Sequence, residues 1–138
     1  MYSIDQTKAI IGNEEIYNYS QLLLELQQKY QFLTKSDTEA ILYLYEDRKI
    51  TAVKELDGMF TFAIIDKNTF IAARDPIGIK SLYYSEKDDN FWFASELKSI
   101  TKICEKVEEF PPGSFFPQKP YFLLITHCRI FRLKSTSS

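Results

Sequence analysis

The sequence predicts an α+β fold: an antiparallel sheet with helices laid on its outside. Three observations predict it. Tyr19, Leu22, Leu23, Leu26 and Tyr30 recur at helical spacing. A second helical stretch opens at "SDTE", residues 36–39. From Gly58 onward the period switches to two, in short runs separated by turn residues.

In chain order, Ile10 and Ile11 close a short strand, and the polar run Asn13-Glu14-Glu15 marks the corner where strand gives way to helix. Asn18 then caps the first helix, with Gln21 at the third position to return the bond. Ser36 and Glu39 form a second capping box, and the helix they open turns Ala40, Ile41, Leu44 and Tyr45 to the core. Asp57-Gly58 is a turn into a strand over residues 59–65 that is apolar on both faces: Phe60, Phe62 and Ile64 on one, Met59, Ala63 and Ile65 on the other. A strand with no polar face belongs to a sheet covered on both sides. "DKN" turns it into a hairpin with Phe70 to Ala73. "RDPIGIK" is a loop held by Pro76 and Gly78, with Arg74 and Asp75 as a structural bridge that fixes it. "SLYY" and "FWFA" form a further hairpin across the charged turn "SEKDDN", and a short helix lies near "SELKSI". Trp92 and the stripe of Phe and Tyr side chains are core.

With 138 residues the chain is one domain, large enough to bury a core. A hydrophobic content of 45% and an aromatic content of 15% place it among globular proteins. A formal charge of −2 argues against a nucleic-acid or anionic-membrane surface. The apolar run from Tyr121 to Ile125 is too short to span a bilayer, and the N-terminus has no basic-then-apolar secretory pattern. Cys104 and Cys128 have no metal-ligand spacing and no disulfide framework. A cytoplasmic protein with no nucleic-acid, membrane or metal partner is the expectation.

After Glu109 no acidic residue remains, while Lys119, Arg129, Arg132 and Lys134 add positive charge. Two readings stand: an ordinary last strand with a frayed end, or a frame that departs from its parent near Phe116. The second divides the chain into a domain at residues 1–116 and an atypical basic tail at 117–138, in which His127 takes no role.

Six runs, "NEEIYNY", "YQFLTKSDTEAILYLYED", "LDGMFTFAIID", "ARDPIGIKSLYY", "FASELKSI" and "EFPPGSFF", occur in this order and spacing. Together they resemble the glutaminase half of glutamine-hydrolysing asparagine synthetase, a class II glutamine amidotransferase, over residues 8–116. The resemblance implies the N-terminal-nucleophile hydrolase fold, a four-layer αββα sandwich of mostly antiparallel sheets, here expected to be incomplete at the N-terminus. It implies hydrolysis of the glutamine side-chain amide, with ammonia passed to a synthetase domain. ATP and Mg would belong to that synthetase domain, leaving no cofactor in this chain.

Amide hydrolysis needs a nucleophile, a base and donors aimed at the developing oxyanion. By resemblance, the catalytic residue is Asn13, whose side-chain N–H stabilises the tetrahedral intermediate. Glutamine binding falls to Asn13, Glu14, Glu15 and Asp37, with Glu15 in the pocket wall and Asp37 pairing with the α-ammonium. The first helical turn suits Asp37, because the helix dipole favours an ionised carboxylate there. Taken alone, Asn13 is a turn residue and Asp37 a first-turn acid; the surrounding runs give them their roles.

The departures from the family are as informative. The family's nucleophile is a cysteine following the initiator methionine, and position two here is Tyr2. Ser3 is no substitute, with nine residues between it and Asn13, and Cys104 matches no nucleophile. The family's glycine between Asn13 and Glu15, whose N–H points at the oxyanion, is replaced by Glu14. The expectation is a truncated glutaminase domain without turnover as an isolated chain, which self-associates through uncovered sheet edges. The alternatives are a non-catalytic glutamine-binding or regulatory module, or a structural remnant.

Overall fold

The structure, a computed structural model, describes residues 1–67 and 69–115 in full and the backbone of 116–118, 122–126 and 129–133. Asn68, Lys119, His127, Cys128 and Lys134 lie outside the described residues.

The class is α+β. Strand β1 (Lys8–Ile16) is followed by helices α1 (Tyr19–Leu26) and α2 (Asp37–Arg48), and a 3₁₀ segment, Lys49–Glu55, then leads to the hairpin of β2 (Gly58–Asp66) and β3 (Thr69–Arg74). A second hairpin, β4 (Tyr83–Lys87) and β5 (Asn90–Ala94), precedes the short helix α3 (Leu97–Thr101). Strands β6 (Glu108–Glu109), β7 (Phe115–Gln118), β8 (Phe122–Thr126) and β9 (Arg129–Leu133) complete the order. The strands form two sheets, ordered β1-β2-β3-β7 and β6-β4-β5-β8-β9. All pairings are antiparallel except β5 with β8. The two hairpins expected in series therefore belong to different sheets, and the loop after β3 carries the chain from one to the other.

Three apolar clusters describe the packing. The first joins Leu22, Leu26 and α2 to Ile10, Ile16, Phe60, Phe62, Ile64 and Ile71 on one face of the first sheet. The second sets Ala63, Ile65, Phe70 and Ala72 of that sheet against Leu82, Phe93 and Phe110. The third packs Ile100 and Cys104 on Ala94, with Tyr83 and half-buried Trp92 beside them. The two faces of β2 thus enter two different clusters, which is why that strand is apolar throughout.

The largest correction falls on the opening of the chain. The corner expected at Asn13-Glu14-Glu15 is absent: β1 runs straight through it, paired residue by residue from Lys8↔Asp66 to Ile16↔Gly58. A ladder of nine pairs supplies the backbone with partners, and an edge strand tolerates exposed charge. The chain turns two residues later, where Tyr17 N–H donates to Asp57 O at 2.7 Å. That turn needs Gly58, since a Cβ there would meet the carbonyl oxygen of Glu15 at 2.2 Å and Cα of Ile16 at 2.9 Å.

Both capping expectations also change. Asn18 occupies the N-cap position of α1 but makes no cap bond; its amide instead bridges Glu55 O (2.8 Å) and Asp57 N (3.0 Å). Ser36 does accept from Thr38 N at 3.1 Å. Glu39 does not return the bond: its carboxylate, 3% exposed, takes the N–H groups of Leu33 (2.8 Å) and Thr34 (2.7 Å) and the Thr34 hydroxyl. Helix α2 is buried on more than the expected side, with Leu42 and Tyr43 joining Ala40, Ile41, Leu44 and Tyr45. Tyr30 lies beyond α1 yet still packs on the first cluster, stacked on Tyr43 at 4.7 Å.

Candidate functional site

Two elements bring the predicted residues near one another: the last half of β1 and the first turn of α2. Side chains alternate along β1. Ile10 and Ile16 enter the helix-side cluster and Ile11 the inter-sheet cluster, so Glu14 faces α2, while Asn13 and Glu15 face the other way. Asn13 and Glu15 are exposed and make no side-chain hydrogen bond among the described residues. Asn13 pairs with Thr61, which in turn pairs with Arg74, so an amide with free donors stands at the edge of the row that contains a buried threonine and a buried arginine.

On the helix side, the Asp37 carboxylate accepts the Ile16 N–H at 2.9 Å, tying α2 to the end of β1. One residue on, the Thr38 hydroxyl donates to Glu14 Oε1. The other oxygen, Glu14 Oε2, is buried and makes no hydrogen bond among the described residues, and the same is true of the Tyr19 hydroxyl. Burial pushes the Glu14 carboxyl above its ordinary value; the Thr38 hydroxyl opposes this and the Asp37 carboxylate adds to it, while the Met1 ammonium and Lys80 draw it down. Burial likewise raises Tyr19, with Asp37 and Glu39 adding to the effect. The structure therefore groups Glu14 with Asp37 and leaves Asn13 and Glu15 on the opposite face of the strand. Glu14 does not direct its carboxylate into the face that Asn13 occupies.

Sequence reading missed Thr38 as the partner of Glu14 and the Ile16 N–H as the partner of Asp37. No local pattern signals contacts 24 and 21 residues apart. The bridge expected between Arg74 and Asp75 is also different. The two do not pair with each other; each binds the backbone of the following loop separately.

The remaining nucleophile candidates are engaged elsewhere. Ser3 is buried, its hydroxyl donating to Asp5 at 2.5 Å and accepting from Lys8 N at 3.0 Å in a local turn. Cys104, 2% exposed, lies in the third cluster beyond α3.

Residues 1–102 match the family described as the glutamine amidotransferase domain. The chain is 47% identical over 120 residues to a probable glutamine-hydrolysing asparagine synthetase of Dictyostelium discoideum, covering 83% of this chain and 22% of that protein. It is 43% identical over 122 residues to glutamine-hydrolysing asparagine synthetase 2 of Arabidopsis thaliana, covering 86% of this chain and 21% of that one. The chain thus spans about a fifth of the length of these relatives. Among solved structures, the glutamine phosphoribosylpyrophosphate amidotransferase of B. subtilis superposes with a TM-score of 0.55 at 27% identity, over 64% of this chain and 22% of that one. A class II glutamine aminotransferase domain protein from Silicibacter pomeroyi superposes with a TM-score of 0.54 over 81% of this chain and 63% of that one. At 18% identity that likeness speaks for the fold alone. With a match over residues 1–102 and relatives above 40% identity over most of its length, the chain belongs to the glutamine amidotransferase domain family.

Proposed function

We propose that the chain supplies part of a glutamine-binding pocket, with Asn13, Glu14, Glu15 and Asp37 as its polar residues, and that these 138 residues bind glutamine without hydrolysing it. The observation that carries the reading is the junction of β1 with α2, where Asp37 holds the Ile16 N–H and Thr38 holds Glu14. It sets acidic groups at a helix N-terminus on the helix side of β1, with Asn13's free amide on the other face of the same strand end. A zwitterionic amino acid needs such an acidic patch for its ammonium, and a side-chain amide needs a free donor for its carbonyl. In this reading Asp37 receives the ammonium on the helix side of β1, and Asn13 and Glu15, on the other face, meet the amide end of the ligand only around the edge that β1 forms. Glu14 lies beside Asp37 and holds Thr38 rather than touching the amide.

Turnover asks for more than a donor. An oxyanion donor contributes roughly 100- to 1000-fold, but bond cleavage also needs a nucleophile with a base beside it. The Ser3 hydroxyl is held by its own turn and Cys104 lies in a separate cluster. By the family resemblance, the glutamine nitrogen would serve a synthetase domain.

Calorimetric titration of the 138-residue chain with L-glutamine tests the reading. A saturable heat that weakens at least tenfold in Asp37→Asn supports it, together with ammonia release no higher than a protein-free blank. Absence of any heat would leave only a structural role. A robust ammonia rate abolished by Ser3→Ala would show that the chain carries its own nucleophile.

A further inference from the structure

Strand β1 is an edge of its sheet, and its outer side is closed at both ends and open in the middle. Ile10 points its N–H away from β2, donating to Met1 O at 2.9 Å, and its carbonyl takes the Met1 ammonium at 2.8 Å. Tyr2 bridges Ala9, and Ser3 N–H donates to Lys8 O at 2.9 Å, so residues 1–3 cover this side of β1 as far as Ile10. At the far end Ile16 gives its N–H to Asp37 at 2.9 Å. Every second residue of a strand turns its backbone groups to the same side. Gly12 and Glu14, between Ile10 and Ile16, therefore also point their N–H and C=O groups outward. None of these groups has a partner among the described residues.

Open edges are common, and charge or a bulge usually guards them. This one has no bulge: its ladder with β2 is continuous from Lys8 to Ile16. Gly12, Asn13 and Glu15 are exposed, and Gly12 has no side chain to cover the gap. The charge at the gap is acidic. Glu14, Glu15 and Asp37 flank it, and none of them forms an ion pair among the described residues. The Met1 ammonium and Lys80 also lie near Glu14, the ammonium being held on Ile10 O. A second copy of β1 does not fit this edge. The one antiparallel register that pairs Gly12 with Glu14 in both directions sets Ile16 of one copy opposite Ile10 of the other, where Met1 stands. It would also face carboxylates with carboxylates, and like charges across a strand pair repel. An occupant has to be short and of the opposite charge.

We propose that the outer edge of β1 at Gly12–Glu14 binds a short, extended, basic peptide segment of another polypeptide as an added strand. The added strand runs antiparallel to β1, as every pairing in this sheet does. Two of its residues exchange backbone hydrogen bonds with Gly12 and Glu14, and the residue between them lies opposite Asn13. Side chains directly opposite one another share a face. A lysine or arginine opposite Asn13 therefore reaches Glu15 on the exposed face, and one opposite Glu14 reaches Glu14 and Asp37 on the helix side. Beyond Gly12 the peptide leaves the edge, because Met1 holds Ile10. The inference uses the backbone of β1 and its flanking charge, and it does not rest on the glutamine reading.

The test follows amide hydrogen exchange by NMR in the 138-residue chain with three synthetic probes. These are acetyl-Val-Lys-Val-Lys-Val-amide, its counterpart with glutamate at both lysine positions, and the basic peptide N-methylated on its backbone amides. The basic peptide should slow exchange of the Gly12 and Glu14 amides at least tenfold and leave those of Asn13 and Glu15, which face β2, unchanged. The acidic and N-methylated peptides should protect neither. Glu15→Lys, at an exposed position, should weaken the basic peptide at least fivefold, whereas Glu86→Lys, exposed on β4 of the other sheet, should bind it as the parent does. No protection at millimolar basic peptide, or equal protection by the acidic or N-methylated one, overturns the proposal. So does protection that grows with protein concentration in the absence of peptide, which would make a second copy the occupant. Calorimetry with glutamine separates the two ideas. Peptide protection without glutamine heat leaves the edge standing and removes the pocket, and glutamine heat without peptide protection does the reverse.

Discussion

Glu14 is the residue at which charge and burial conflict most openly. One carboxylate oxygen has the Thr38 hydroxyl and the other has no partner among the described residues, with Asp37 close enough to repel. A carboxyl raised on folding stabilises the protein fully below its ordinary value of 4.5, and that contribution is lost as pH rises through the folded-state value. Glu14→Gln keeps an acceptor for Thr38 and removes the charge. It should raise the neutral-pH melting temperature by ~3–5 °C, on the order of 1 kcal/mol, and the two curves should converge below about pH 4. A variant that melts lower than its parent at pH 7 would show that the ionised form is the one the fold prefers. Asp75 runs in the opposite direction. Burial pushes its carboxyl up, but the N–H groups of Gly78, Ile79, Phe60 and Lys80 together bring it below its ordinary 3.8. Its contribution is therefore present above 3.8 and lost as pH falls through the lowered value. Asp75→Asn removes the charge and turns an NH₂ towards donors, and should cost about 3 kcal/mol in urea unfolding at pH 7, with a smaller gap in acid. A loss under 1 kcal/mol would mean the loop holds itself.

At the scale of elements, β1 and α2 decide where the candidate site lies. Strand β1 is an edge, hydrogen-bonded to β2 along its whole length, so its polar middle can face outward without losing backbone partners. Its far end depends on the close approach of Gly58 to Glu15 and Ile16. Gly58→Ala forces the strands apart there and should cost about 2–3 kcal/mol. Because Asp37 binds the Ile16 N–H, the same change should weaken glutamine binding more than a substitution of equal stability cost elsewhere in the fold. Calorimetry on Gly58→Ala beside Asp75→Asn, a buried change of similar cost on a different loop, compared at equal folded fraction, tests this, and equal affinities would uncouple the strand end from the site.

Across the whole molecule, the inter-sheet cluster couples the two sheets. Phe93 of β5 meets Phe70 of β3 at 4.9 Å between ring centroids, and Phe110 and Tyr84 close around it at 6.2 and 6.3 Å. Phe93 is 1% exposed, and Phe93→Ala should cost about 3–5 kcal/mol. Trp92, the single tryptophan, lies on the second sheet, while α1 and α2 pack on the first. Its fluorescence and the far-ultraviolet helix signal should therefore lose stability together and remain one transition. Two separated transitions would show that the sheets fold independently of their shared aromatic layer.

The sequence by itself determined the parts whose signal is local. The stripe of Leu22 and Leu26, the cap at Ser36, the doubly apolar β2 and the hairpin turns each lie within about a dozen residues, where helical and strand periods can be read directly. The family likeness, too, was carried by six contiguous runs in order. Only the tertiary structure decided that β1 continues through Asn13-Glu14-Glu15, because the ladder that overrides the polar run comes from β2, some fifty residues on. It alone turned Glu39 away from its own cap, gave Glu14 to Thr38, and divided Arg74 and Asp75 between separate backbone partners. A buried polar group takes whatever donor or acceptor the packed chain brings within reach, and in this fold many of those partners are distant in sequence.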